Sequence, residues 1–302
     1  MTESQKYDAV REARSAWLDV RGVRYHLLEW GELTSPLLMM LHGWGDCAAS
    51  FQFVVDELKE DWFVVAPDWR GFGRSHHRCD SYWFPDYLAD LDVLLEHYQP
   101  QKPVNLLGHS MGANIAGLYA GVFPDRVLNF VNVEGFGLAD SHPANAPANY
   151  RRWLSRIRTM PAYSTYSSFE LLADRIISRA PEMSIDKALF VAHEWACADA
   201  SGEIVLRADP AHKLPNAVQY RRAEAMACWE NVSAPVLLVV GENSDFTAAA
   251  KSFIDPDSAA HPFRNNLSVT IPGCGHMVHF ERPRELALEV DRFLLGRSSS
   301  IV

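Results

Sequence analysis

Hydrophobic positions in this chain form short unbroken runs separated by longer amphipathic stretches. Residues 37–41, 63–66, 104–107, 127–133 and 235–240 are apolar at nearly every position. Such runs predict strands covered on both faces, as in a parallel sheet. A further strand is expected at 267–271, and 17–30 reads as a hairpin turning at Arg21-Gly22-Val23. Helical periods fall between the runs, at 51–58, 87–98, after 110 and at 283–295. This alternation predicts an α/β chain with a mostly parallel sheet flanked by helices. It stops at 137. From there to 231 only helical periods appear, at 150–157, 169–179, 185–196 and 216–227. The pattern divides the chain into a first core segment (1–136), a helical insertion (137–231) and a second core segment (232–302). An insertion between two sheet strands is placed to cover a site as a cap.

One of the predicted strand ends carries chemistry. Val104-Asn105-Leu106-Leu107 runs directly into Gly108-His109-Ser110-Met111-Gly112, and a small-residue helix ending before Pro124 follows. G-x-S-x-G between a strand and a helix is a nucleophile elbow. The turn is too tight for side chains at the flanking positions, so glycine fills both. The serine hydroxyl is pushed out at the head of the sheet, where the helix N-terminus favours developing negative charge.

A serine hydroxyl needs a base, and the base needs an orienting acid. His276 lies on the glycine-flanked loop Pro272-Gly273-Cys274-Gly275-His276, after the strand-like 267–271. It is favoured over His279, which reads as beginning the next helix. Two acids compete. Asp245 follows the apolar run 235–240 on Gly241-Glu242-Asn243-Ser244-Asp245, and Glu134 follows the run 127–133. Both stand at the C-terminal ends of strands, where open α/β sheets place their sites. Asp245 is favoured because it gives the chain order Ser, Asp, His.

These segments together resemble the α/β-hydrolase superfamily of serine hydrolases, most closely its bacterial serine hydrolase-like and esterase branch. The matching segments are Leu41-His42-Gly43-Trp44-Gly45, Asp68-Trp69-Arg70-Gly71-Phe72-Gly73-Arg74-Ser75, the elbow, and Gly275-His276 followed by Glu281 and Pro283. The resemblance implies an α/β-hydrolase fold with an eight-stranded type of sheet and a helical cap. It implies an oxyanion hole built from the backbone N–H groups of Met111 and Trp44. In one place the chain departs from the family pattern. The position where the family acid often stands is Ser244, with Asp245 one residue later, which keeps Glu134 open.

Composition narrows the classes. A chain of 302 residues with 48% hydrophobic and 22% charged residues is ordinary for a globular enzyme. A net charge of −10 argues against nucleic acid and against an anionic membrane surface as partners. The five cysteines (Cys47, Cys79, Cys197, Cys228, Cys274) are odd in number and scattered, which points to free thiols in a reducing cytoplasm. The first residues show no secretory pattern. No metal or cofactor motif occurs, so none is expected.

The expected partner is a small molecule, and a homodimer is left open. Candidate pocket residues are Trp44, Phe136, Trp153, Tyr163, Tyr166 and Trp195, which suit an apolar substrate. The leading expectation is hydrolysis of a carboxylic ester. Two alternatives stand beside it: a carbon–carbon bond hydrolase of diketone-type ring-cleavage products, and a non-catalytic small-molecule receptor on the same fold.

Overall fold

The computed structural model describes residues 7–75, 81–246 and 262–296. Eight strands form one sheet: β1 (Arg14–Val20), β2 (Val23–Trp30), β3 (Leu37–Leu41), β4 (Phe63–Pro67), β5 (Val104–His109), β6 (Val127–Val133), and two after the insertion, Val236–Gly241 and Asn266–Ile271. The intervening helices are α1 (Gln52–Glu57), α2 (Pro85–Tyr98) and α3 (Met111–Val122). The insertion carries α4 (Ala146–Ile157), α5 (Phe169–Ile177), α6 (Ile185–Trp195) and α7 (Arg222–Glu230). It also carries a short antiparallel pair, β7 (Ala196–Ala198) and β8 (Ile204–Leu206). The last sheet strands are therefore β9 (Val236–Gly241) and β10 (Asn266–Ile271), followed by α8 (Val278–Glu281) and α9 (Pro283–Leu294).

The sheet order is β1-β2-β4-β3-β5-β6-β9-β10. From β4 to β10 every neighbouring pair is parallel, and β2 pairs antiparallel with both β1 and β4. The apolar runs follow from this arrangement. β3, β4, β5 and β9 are buried at every residue. Leu37, Met39 and Leu41 of β3 pack on one side with Leu91, Ile115 and Trp229. Leu38 and Met40 pack on the other with Val54, Leu286 and Val290. A strand with helices on both faces has no polar side to show.

The parallel strands all end on one edge, and the site is assembled there. The insertion joins this edge through a third apolar cluster, in which α5 and α6 pack on Phe53 of α1 and Phe280 of α8. α7 behaves differently. Trp229 is buried in the main core, and a Cβ on Gly121 of α3 would fall 1.9 Å from the Cys228 carbonyl oxygen. The predicted insertion 137–231 thus includes a helix that packs as part of the core. No helix among the described residues is long and apolar enough to cross a membrane. Cys47, Cys197, Cys228 and Cys274 are free thiols, and Cys79 lies outside the described residues.

His212 ties the insertion to the core. Its ring lies between Phe72, at 3.8 Å and 10°, and Tyr82, at 3.6 Å and 18°. Its Nε2–H donates to the Arg70 carbonyl at 3.2 Å. Burial pushes the His212 pKa down to about 4, outweighing the opposing pull of the Arg70 carbonyl and Asp209. The unfolded chain has an ordinary histidine near 6.5 and binds the proton first. Stability supplied by the neutral ring is therefore complete above about pH 6.5 and is lost as pH falls toward 4. The His212 share of this loss is on the order of 2 kcal/mol between pH 7 and pH 5. His212→Phe should flatten the pH dependence of thermal unfolding by about that amount, leaving the part due to buried His42 and His109.

Candidate active site

Ser110 sits between β5 and α3 with φ 51° and ψ −112°, a region few residues with a Cβ adopt. Tight packing holds it there. A Cβ on Gly112 would lie 2.0 Å from the Leu41 carbonyl oxygen, and one on Gly108 would lie 2.4 Å from the Ala113 backbone. The serine amide donates to the Val133 carbonyl at 2.8 Å, and its own carbonyl accepts from Asn114 N–H at 3.0 Å. Glycines at 108 and 112 are required by this close approach, as the elbow motif predicts.

Gly43 faces the serine. A Cβ there would come within 3.2 Å of Ser110 Cβ and 2.9 Å of His109 Nδ1. The loop is braced by His42, whose Nδ1–H donates to the Gly43 carbonyl at 2.7 Å and whose Nε2 accepts from Trp69 N–H at 2.9 Å. Burial lowers the His42 pKa, which favours this neutral tautomer. Trp44, the next residue, leaves its side chain half exposed. Asp68 anchors the neighbouring loop through His26 Nδ1, Ala48 N–H and Arg74 N–H at 2.7–2.8 Å. Arg70 instead forms a bidentate pair with Asp90 of α2.

The late histidine and an acid meet next to the elbow. His276 Nδ1–H donates to Glu134 Oε2 at 3.0 Å. That carboxylate is buried and also accepts from Ser244 Oγ at 2.6 Å and from Gly241 N–H at 2.7 Å. Glu134 is the first residue beyond β6 and has a left-handed φ of 60°. Its amide donates to the Val239 carbonyl on the adjoining β9. The expectation that Asp245 orients His276 is corrected here. On the loop after β9 the buried place belongs to Ser244, while Asp245, one residue on, is exposed. The carboxylate that bonds His276 thus stands one strand over, and Ser244 donates to it. The departure at Ser244 and a carboxylate following a largely apolar strand were the two signals available in sequence.

The candidate pocket residues divide. Phe136 is buried in the core. Trp195 and Tyr166 pack in the insertion cluster, and Trp195 Nε1–H also donates to Asp46 Oδ1 at 2.9 Å. Tyr163 takes the Lys213 ammonium over its ring at 5.1 Å, and Trp153 stands on α4, a helix with no fully buried residue. A cleft of about 470 Å³ between α4 and residues 216–220 is lined by Leu138, Asn145, Arg152 and Tyr220 and by none of the six aromatics. Nearer the histidine, Phe246 is half exposed with its ring centroid 4.8 Å from that of His276.

A second group was not foreseen. Asp46, His109 and His279 are buried with potential donor atoms within 4.8 Å of one another. Tetrahedral zinc ligands stand roughly 3.3 Å apart, and Asp46 already accepts from Cys47 N–H, Ser50 Oγ, Trp195 Nε1–H and His279 Nε2–H. The Asp46 carboxylate is thus already engaged by protein donors, whereas Nδ1 of His109 and Nδ1 of His279 have no hydrogen-bond partner.

A family model described as alpha/beta hydrolase fold matches residues 36–283. The chain belongs to the alpha/beta hydrolase family. Relatives of this alpha/beta hydrolase include a serine hydrolase-like protein of Danio rerio, 27% identical over 296 residues, with 93% of this chain and 87% of that protein covered. Serine hydrolase-like protein 2 of Homo sapiens is 24% identical, with 88% of each chain covered. Among solved structures, a thioesterase domain from the curacin biosynthetic pathway superposes with a TM-score of 0.81 at 23% identity, covering 92% of this chain and 99% of that one. The superposition extends over nearly the whole of that domain, so the two chains share one fold.

Holding a Cβ at the Ser110 backbone angles costs on the order of 1–3 kcal/mol, and glycine escapes part of it. Ser110→Gly should therefore stabilise the protein by about 1 kcal/mol after glycine's added unfolded-state entropy. Denaturant titration measures the difference.

Proposed function

We propose that this hydrolase cleaves a carboxylic ester of a small apolar substrate by acyl transfer through Ser110. The observation that carries the reading is the His276–Glu134 hydrogen bond of 3.0 Å, with the His276 carbonyl bonded at 2.9 Å to His109, the residue before the left-handed Ser110. His276 accepts the Ser110 proton at Nε2 as Oγ attacks the carbonyl carbon. Glu134 fixes the tautomer with Nδ1–H and stabilises the imidazolium that forms. The backbone N–H groups of Met111 and Trp44 receive the oxyanion, Met111 at the head of α3 and Trp44 on the loop against Ser110. The intermediate collapses as His276 gives its proton to the leaving alcohol. Water then attacks the acyl-serine by the same route, releasing acid and free serine.

The exposed faces of Trp44 and Phe246 offer apolar surface near this chemistry, which supports an apolar acyl or alcohol group. In this reading the insertion helices close over such a group as a cap. Thioesters follow the same steps, and a thioesterase domain shares the fold.

Ser110→Ala should lower turnover of a p-nitrophenyl ester by at least about a thousandfold and abolish labelling by a fluorophosphonate probe. Full labelling of the alanine variant would sink the assignment. The two acids separate cleanly. Glu134→Ala should reduce kcat by roughly 10²–10⁴, while Asp245→Ala should stay within about twofold of the unsubstituted enzyme. The reverse ranking would return the role to Asp245.

A further inference from the structure

The imidazole of His276 is held by Glu134, but its backbone is held by something else. Its carbonyl accepts a hydrogen bond of 2.9 Å from His109 Nε2. A carbonyl only accepts, so the His109 proton is on Nε2 and its Nδ1 carries a lone pair. His109 is fully buried, and burial together with the neighbouring His279 and His276 keeps its pKa well below the ordinary histidine value. Its ring lies 4.2 Å from that of His279, tilted by 50°. His279 Nε2–H in turn donates to Asp46 Oδ2 at 3.1 Å, with both side chains buried. Burial works against the Asp46 charge, and the bonds from His279 and Ser50 outweigh it, so the carboxyl stays below its usual range. The other Asp46 oxygen accepts from Cys47 N–H at 2.8 Å and from Trp195 Nε1–H at 2.9 Å. Trp195 is the last residue of α6, in the insertion.

The run of contacts thus goes from α6 through Trp195, Asp46, His279 and His109 to the backbone of His276. It retains an unfavourable feature. Nδ1 of His109 and Nδ1 of His279 are both buried without a hydrogen-bond partner. Apolar rings in their place would remove these orphaned nitrogens but would leave the His276 carbonyl and an Asp46 oxygen each short of a donor. What the imidazoles supply is two directed N–H groups, one to the His276 carbonyl and one to Asp46.

We infer that Asp46, His279 and His109 are positioning residues that fix the backbone of His276 and tie it, through Trp195, to the insertion. The inference rests on the reading of Ser110 and His276 as nucleophile and base. Seating of α6 sets Trp195 and Asp46, and the histidine pair carries that placement to the base.

The test uses the full chain with Ser110→Ala as control. Active sites are counted with a fluorophosphonate probe, so that kcat refers to folded enzyme. Asp46→Asn, His279→Leu and Trp195→Phe should each lower kcat for a p-nitrophenyl ester about tenfold with KM within twofold. They should slow the rate of fluorophosphonate labelling by a similar factor. His279→Gln, whose amide N–H still donates to Asp46, should recover most of the His279→Leu loss. A structural role alone would lower the count of active sites and leave kcat per site unchanged, and that result overturns the inference. Unchanged kcat and labelling in all three variants, with Ser110→Ala inert, overturns it as well. Turnover by Ser110→Ala would instead bring down the underlying reading, whatever the three variants do.

Discussion

The close approach of α3 to the ends of β3 and β5 is the constraint on which the site depends. With Gly112 pressed on the Leu41 carbonyl and Gly108 on the Ala113 backbone, the chain must turn through a left-handed residue at 110. That turn sets a hydroxyl at the head of a sheet whose two faces are sealed by Leu, Val, Phe and Trp side chains. Backbone strain persists only where surrounding structure over-determines it. Here the overdetermination comes from a continuous core and from the Ser110 amide bonded to Val133 on the neighbouring strand.

The same register places the acid. β6 and β9 are parallel neighbours, with Val133 opposite Val239. The first residue past β6 therefore sits beside the loop that leaves β9. Glu134 receives Gly241 N–H from the end of β9, Ser244 Oγ from that loop, and His276 from the loop after β10. A buried carboxylate is tolerated when hydrogen bonds replace its water, and three donors do so here. The longer glutamate side chain, starting one strand nearer the serine, reaches the imidazole that an acid on the β9 loop would otherwise meet.

The insertion is bound to this edge by unlike contacts. Phe53 and Phe280 give it an apolar footing, His212 stacks into the aromatic pair Phe72 and Tyr82, and Trp195 reaches the buried Asp46. α7 packs on α3 and counts with the core. The part of the insertion that lies outside the core is thus α4 to α6 with the β7–β8 pair.

What the amino-acid sequence by itself determined was everything that local pattern encodes. Apolar runs became strands because burial on both faces leaves no place for polar side chains. The glycines at 108 and 112 announced a turn that admits no Cβ, and with it Ser110. His276 was legible from its place on a glycine loop after a strand. The choice between Glu134 and Asp245 was decided only by tertiary structure, because it depends on which strand lies next to which and on one residue of register in the β9 loop. The Asp46–His279–His109 group was likewise decided there. Its members are separated by 233 residues at the extreme, as between Asp46 and His279, and no periodicity within a segment records a meeting that only the folded sheet creates.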